Sequence, residues 1–210
     1  MRHSARSEAI VGGKAESILA AAERNFLASG FGAVSMDAIA REAGVSKATV
    51  YAHFAGKEEL FEAVIERECE RYFASFSAGE LDPHDVHGSL AVLGCRFLDL
   101  VLSDDAIALY RIIVAEVARF PVLGEVFWRA GPERERVQIE EFLRSAVAAG
   151  SLALDNPRLA AEQFLGLVRG DTQMRRVLRL GAAVGAGEIR AAAAAAVDTF
   201  IRAFGVSGRG

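Results

Sequence analysis

Apolar residues recur at three- and four-residue intervals along most of the chain, which is the spacing of one helix face. Val, Ile, Thr and Tyr nowhere gather into alternating runs. The pattern predicts an all-α chain of about nine helices. The first runs from Lys14 to Ser29, with Ile18, Ala22 and Phe26 on one face. Asn25 is an odd polar residue beside them, and Gly30 is a left-handed stop. Ser35 caps a short second helix, Met36 to Ala43, and Ser46 caps a third, Lys47 to His53. Gly56-Lys57 opens a fourth whose stripe is Leu60, Phe61, Val64, Ile65, Cys69, Tyr72, Phe73 and Phe76.

After a break at 78–84, Val86, Leu90, Leu93, Phe97 and Val101 mark a fifth helix. Ser103-Asp104-Asp105 starts a sixth, with Ile107, Tyr110, Val114 and Val117 on its apolar face, and Phe120-Pro121 breaks it. Gly131-Pro132 begins a charged segment with Val137, Phe142 and Val147 on its apolar side, and Gly150 ends it. Asn156-Pro157, a cap followed by proline at the first helical position, opens a helix to about Leu180. A Gly/Ala linker leads to a last helix, Glu188 to Phe204, whose six-alanine run reads as a close-packed face. Residues 1–13 and the final GVSGRG read as flexible tails.

Composition narrows the class. The chain has 210 residues, 52% of them hydrophobic and 25% charged, so a globular fold with a real core is expected without disulfide or metal support. Net charge is −4, but residues 1–57 carry +2 and the remainder −6, so a local basic surface survives in an acidic protein. The two cysteines, Cys69 and Cys95, have no Cys-x-x-Cys or Cys/His pattern and read as reduced, buried thiols. The N-terminal stretch lacks a signal-peptide core, and no apolar run reaches membrane-spanning length. The compartment expected is the cytoplasm.

The chemistry concentrates between Ser35 and Phe54. Two helices of about eight residues are joined by the tight turn Ala43-Gly44-Val45, a helix-turn-helix arrangement. Ala40 is small where the helices cross, and Gly44 suits a positive φ. Ile39, Val45 and Val50 pin both helices to the first. The other side of the third helix is left with Ser46, Lys47, Ala48, Thr49 and His53, small or polar groups able to approach base edges and phosphates. Other readings stay open at single positions: Ser35 and Ser46 as caps alone, Tyr51 as a core aromatic, His53 and Lys57 as solvated surface groups.

These residues resemble the TetR/AcrR family of transcriptional regulators. The likeness covers about residues 14–72 and rests on Gly30-Phe31, Ser35, Ile39-Ala40, Ala43-Gly44-Val45-Ser46, Tyr51, His53-Phe54 and Lys57-Glu58-x-Leu60. It implies a DNA-binding domain at 14–57 and a ligand-binding and dimerisation domain at 58–210. It further implies phosphate contacts from Ser35, Tyr51, His53 and Lys57, and base reading by Lys47, Ala48 and Thr49. Residues Tyr110 to Phe127 and Phe164 to Leu167 resemble, more loosely, the AefR-like branch. That likeness implies a homodimer through the last two long helices, for which Phe164, Gly166, Leu167, Gly170 and Phe200 are the candidates. A small-molecule pocket is also implied, with Phe97, Tyr110, Phe127, Trp128 and Phe142 as candidate lining.

Enzyme signatures are missing: there is no Gly-x-Ser-x-Gly, no His-Glu-x-x-His and no nucleotide-binding glycine spacing. His84 and His87 could share a metal but sit in a loop-like stretch. The expectation is a regulator, a repressor rather than an enzyme. It takes no metal or cofactor and makes no membrane contact. It binds palindromic double-stranded DNA as a dimer and is released by a small molecule.

Overall fold

The computed structural model describes residues 13–73, 81–182 and 184–206. Among them lie eleven helices: α1 (Gly13–Ala33), α2 (Met36–Glu42), α3 (Lys47–His53), α4 (Lys57–Phe73), α5 (Val86–Val101), α6 (Asp104–Glu116), α7 (Val122–Ala130), α8 (Pro132–Ala148), α9 (Pro157–Arg169), α10 (Thr172–Val177) and α11 (Ala186–Phe204). No strand forms among the described residues, and one isolated antiparallel bridge joins Leu152 to Gly205. The tail at 1–12, the last four residues, Phe76 and the first part of the break at 78–84 lie outside the described residues, as do the side chains of Tyr72 and Phe73.

Two helices go beyond the pattern reading. Pro121 was expected only to break a helix, but it also starts one. Its carbonyl accepts from Gly124 N–H, and α7 buries Leu123, Val126 and Ala130. Proline needs no donor there, so a stop signal and a start signal share one residue. The helix expected from Pro157 to Leu180 is cut at Gly170, which takes φ +48°, and α10 resumes after Asp171. Two apolar-face assignments also fail. Val114 and Val137 point to solvent, and α8 instead buries Ile139, Phe142, Leu143 and Ala146.

The chain forms two compact units. The first runs to Arg71 and takes in Ala108–Ala130; the second holds Tyr72–Ile107 and everything from Gly131. The first therefore keeps most of α4, much of α6 and all of α7 with α1–α3, so its compact core reaches past the cut expected at residue 57. That core holds Ile18, Leu19, Phe26, Phe31, Ile39, Val50, Leu60, Phe61, Ile113 and Leu123. Phe31 is its hub, with ring centroids 5.7 Å from Phe26, 5.2 Å from Phe61 and 4.9 Å from Phe120. The second core joins α5, α8, α9 and α11 through Leu90, Leu93, Phe97, Leu143, Phe164, Val197 and Phe200.

Candidate nucleic-acid interface

The interface is set by how α3 is held. Gly30 adopts φ +76° and ψ 167°, so the α1 helix proper stops there and Phe31 folds back into the core. Gly44 takes φ +68° between α2 and α3, where a side chain would be strained. Ile39 and Val50 are fully buried and anchor the two short helices on α1. Asn25, the odd polar residue of α1, has a clear task. Its amide donates to Ala21 O at 2.8 Å and to the Glu42 carboxylate, which also takes Arg24 Nε at 2.6 Å. Glu42 thereby ties the end of α2 to α1, a link that residue spacing does not announce.

With its apolar side fixed, α3 presents its other side to solvent. Ser46 accepts from Thr49 N–H at 3.1 Å and shares a 2.8 Å hydroxyl contact with Thr49 Oγ1. Ser35 accepts from Ala38 N–H at 3.2 Å and caps α2. Both serines cap and both remain exposed, so capping and a role toward a ligand are compatible. Ala48 and His53 are exposed too. Tyr51 is 47% exposed, which removes the alternative reading of it as a core aromatic. The Lys47 ammonium sits 2.8 Å from Asp37 and 6.0 Å from the Tyr51 ring centre. The Asp37 hydrogen bond and charge raise the lysine's pKa above its ordinary value, so Lys47 is a firm cation at the head of α3.

Lys57 departs from expectation. Its ammonium donates to three carbonyls, Phe31 O at 2.7 Å, Gly32 O at 3.3 Å and Val34 O at 2.9 Å, and lies 4.5 Å from the Phe31 ring centre. An ammonium has three donors, and all three are engaged here. In this arrangement Lys57 closes the frayed end of α1 rather than facing outward. Glu116 completes the same corner, its two carboxylate oxygens accepting from Gly32 N–H at 2.9 and 2.8 Å. An 84-residue separation leaves no local pattern from which Glu116 could have been found.

The remaining candidates are distributed differently from expectation. Tyr110 and Phe127 lie together in the first unit, centroids 5.9 Å apart, while Phe97 and Phe142 are buried in the second unit's core. Trp128 is 58% exposed and lines no interior there. Phe164 and Phe200 are fully buried against one another, centroids 5.5 Å apart in an edge contact, so they build the core beneath the α9–α11 surface and not the surface itself. Gly170 ends α9 instead of continuing a small-residue stripe. Leu167, 44% exposed, and Gly166, with open space where a side chain would sit, do lie on the free face of α9. Cys69 and Cys95 are free thiols, and burial raises the Cys95 pKa above its ordinary value. No cluster of three metal-ligating side chains occurs among the described residues; His87 instead meets Asp198 at 3.2 Å. Among the same residues no helix is long and apolar enough to cross a membrane.

The sequence also compares directly with known proteins. Residues 18–64 match the family described as bacterial regulatory proteins, tetR family. Residues 88–206 match the AefR-like transcriptional repressor C-terminal domain. Over 59 residues the chain is 42% identical to the HTH-type transcriptional regulator UidR of Escherichia coli K12, and over 53 residues 45% identical to the HTH-type transcriptional activator FasR of Mycolicibacterium smegmatis. Those matches span 28% and 25% of this chain and only 30% and 24% of the relatives. A solved structure described as the flavonoid-responsive regulator FrrA is similar throughout. It is 37% identical, covering 94% of this chain and 98% of that one, with a TM-score of 0.79. Matched along both units by sequence and by fold, the chain belongs to the TetR family of transcriptional regulators.

Proposed function

We propose that the protein is a ligand-released repressor that binds a palindromic operator as a homodimer. The single observation that carries this reading is the outward side of α3, where Ser46, Lys47, Ala48, Tyr51 and His53 are exposed and Thr49 is half-buried beside Ser46, while Val50 and Ile39 lock the helix from behind. Lys47 and Thr49, with Ala48 between them, face the groove and read bases. Ser35, Tyr51 and His53 make positioning contacts to phosphate. Lys57 acts one step back, holding the α1 corner that orients α3. No step of this scheme requires catalysis, a metal or a cofactor, and the working compartment is the cytoplasm, at the nucleoid when bound.

The second copy docks on the exposed faces of α9 and α11. Leu159, Gly166 and Leu167 on one helix and Ala191, Ala194 and Ala195 on the other supply a small, partly apolar surface suited to a four-helix contact. The effector is an aromatic polyphenol. Support for that class is the whole-length likeness to a flavonoid-responsive regulator. By binding the released arrangement more tightly than the DNA-bound one, it shifts the protein off its operator.

Selection from a random duplex pool tests the scheme. Enrichment of a two-fold symmetric motif, with half-sites about one helical turn apart (~34–36 Å), supports it. Enrichment of an asymmetric motif, or of none at low and near-physiological salt, overturns it.

A further inference from the structure

The second unit contains a buried carboxyl group without a partner among the described residues. Glu135, in the first turn of α8, is 2% exposed, and among the described residues neither of its carboxyl oxygens has a hydrogen-bond partner. One turn on, Gln138 Oε1 is likewise buried and unpartnered. Positions 135, 138, 139 and 142 follow the i, i+3, i+4, i+7 rule, so the two acceptors share a helix face with the apolar Ile139 and Phe142. The contrast with the adjacent residue is sharp. Arg136 is as deeply buried, yet its guanidinium is held by Glu133 at 2.6 Å and by Glu140. Burial of an unanswered carboxylate is expensive, and a folded protein rarely retains one without a use. Gln138 also lines an open hollow of about 330 Å³ with Glu133, Arg134, Val137 and Glu141, so Gln138, though not Glu135, borders a space open to solvent.

We infer that Glu135 and Gln138 are the polar recognition point of the effector site, accepting hydrogen bonds from the aromatic hydroxyl groups of a polyphenol. The inference deepens the effector reading above and rests on it. The unpartnered atoms, two carboxyl oxygens and one amide oxygen, are acceptors, so donors on the ligand complement them. The core residues Ile139 and Phe142 make the surroundings of these acceptors apolar, where a hydrogen bond is strengthened. A full cation is disfavoured: the nearby Glu133 and Glu140 are already spent on Arg136, so it would be desolvated against one carboxylate alone. Burial alone lifts the Glu135 pKa to about 7, and a group so poised suits a neutral hydroxyl better than a fixed charge.

The test is calorimetric titration of the full-length protein, without DNA, using naringenin, apigenin, genistein and quercetin. The fully O-methylated form of each binding flavonoid serves as a donor-free probe on the same ring system. Wild type is compared with Glu135→Leu and Glu135→Gln, and thermal melts check that each variant unfolds cooperatively. Expected are at least tenfold weaker binding for Glu135→Leu, a smaller loss for Glu135→Gln, which retains an acceptor, and at least tenfold weaker binding of the methyl ethers to wild type. If Glu135→Leu does not fold, Glu135→Gln and the methyl ethers decide. Flavonoid binding that the folded variants leave within twofold of wild type, or methyl ethers that bind as well as the parents, overturns this inference alone. If wild type binds none of the four, the polyphenol reading falls and takes this inference with it.

Discussion

The corner at Gly30–Gly32 and the first turns of α8 both bring charged side chains against apolar surroundings, and they treat them in opposite ways. At the corner, the Lys57 ammonium is divided among three carbonyls, and the Glu116 carboxylate accepts the Gly32 N–H with both oxygens. Each charge there satisfies backbone groups where the chain passes from α1 to α2. On α8, Arg136 is satisfied by two glutamates while Glu135, one residue earlier, has no partner among the described residues. The first arrangement fixes a surface. The second leaves hydrogen-bonding capacity unused, which is what a site needs if something else is to complete it. The difference separates a region selected for rigidity from one where stability has been given up.

The comparison breaks most plainly at Phe31. This ring is fully buried and touches Phe26, Phe61 and Phe120, so Phe31→Ala removes the centre of the first unit's core. A loss of about 3–5 kcal/mol in unfolding free energy is expected from urea titration. A loss below about 1 kcal/mol would mean that the corner is held by its charges and not by its rings.

Glu135 should give the reverse sign. Its folded-state pKa is raised from 4.5 to about 7 by burial. The folded protein therefore favours the protonated acid. This group's contribution to stability is complete below the unfolded pKa and is lost as pH rises through the folded one. At about 1.4 kcal/mol per pKa unit, the loss approaches 3 kcal/mol by pH 8. Glu135→Gln removes the titration, so its stability relative to wild type should climb by about that amount between pH 4.5 and 8. A difference that stays flat with pH would show that Glu135 titrates normally, and the contrast between the two regions would then disappear.

Glu116→Ala sharpens the same contrast from the other side. It frees the Gly32 N–H and should cost about 1 kcal/mol at pH 7, since a charged hydrogen bond of about 1.5–3 kcal/mol is discounted here for partial exposure. Denaturant midpoints check it. A neutral result would reassign the work of the corner to Lys57 alone.

How much of this the sequence announces depends on the distance over which each signal acts. The caps at Ser35 and Ser46, the turn at Gly44 and the stop at Gly30 are local, and the structure places all four where residue chemistry puts them. The exposed side of α3 followed, because burial of Ile39 and Val50 leaves only one side free. Pro121 was legible as an interruption but not as a beginning, since proline signals both. Phe164 and Phe200 look like interface residues in a one-dimensional pattern, because the inward and outward faces of a nearly all-apolar helix differ only in what lies opposite. Glu116 and Glu135 were illegible for the same reason: one finds its partner 84 residues away and the other finds none, and helix periodicity reports neither.

Lys47 and Lys57 provide the finest test, since the two lysines carry the same charge and differ in where it is spent. A lysine that neutralises a phosphate releases a counterion, so its removal flattens the salt dependence of DNA binding by about 0.9 for each phosphate left unneutralised. Lys47 is exposed, and its link to Asp37 is a surface pair that a phosphate or a guanine edge can displace. Lys57 has its three donors on carbonyls and would have to abandon them. Lys47, reading bases from within the groove, still brings its charge among the phosphates, so Lys47→Met should flatten the slope on a selected operator and leave the melting temperature nearly unchanged. Lys57→Met should lower the melting temperature and, measured well below it, leave the slope as in wild type. A flattened slope in Lys57→Met would mean that the corner opens on DNA and hands its ammonium to the backbone. The closed corner would then belong to the unbound protein, and the rigidity assigned to the first unit would be a property of one state only.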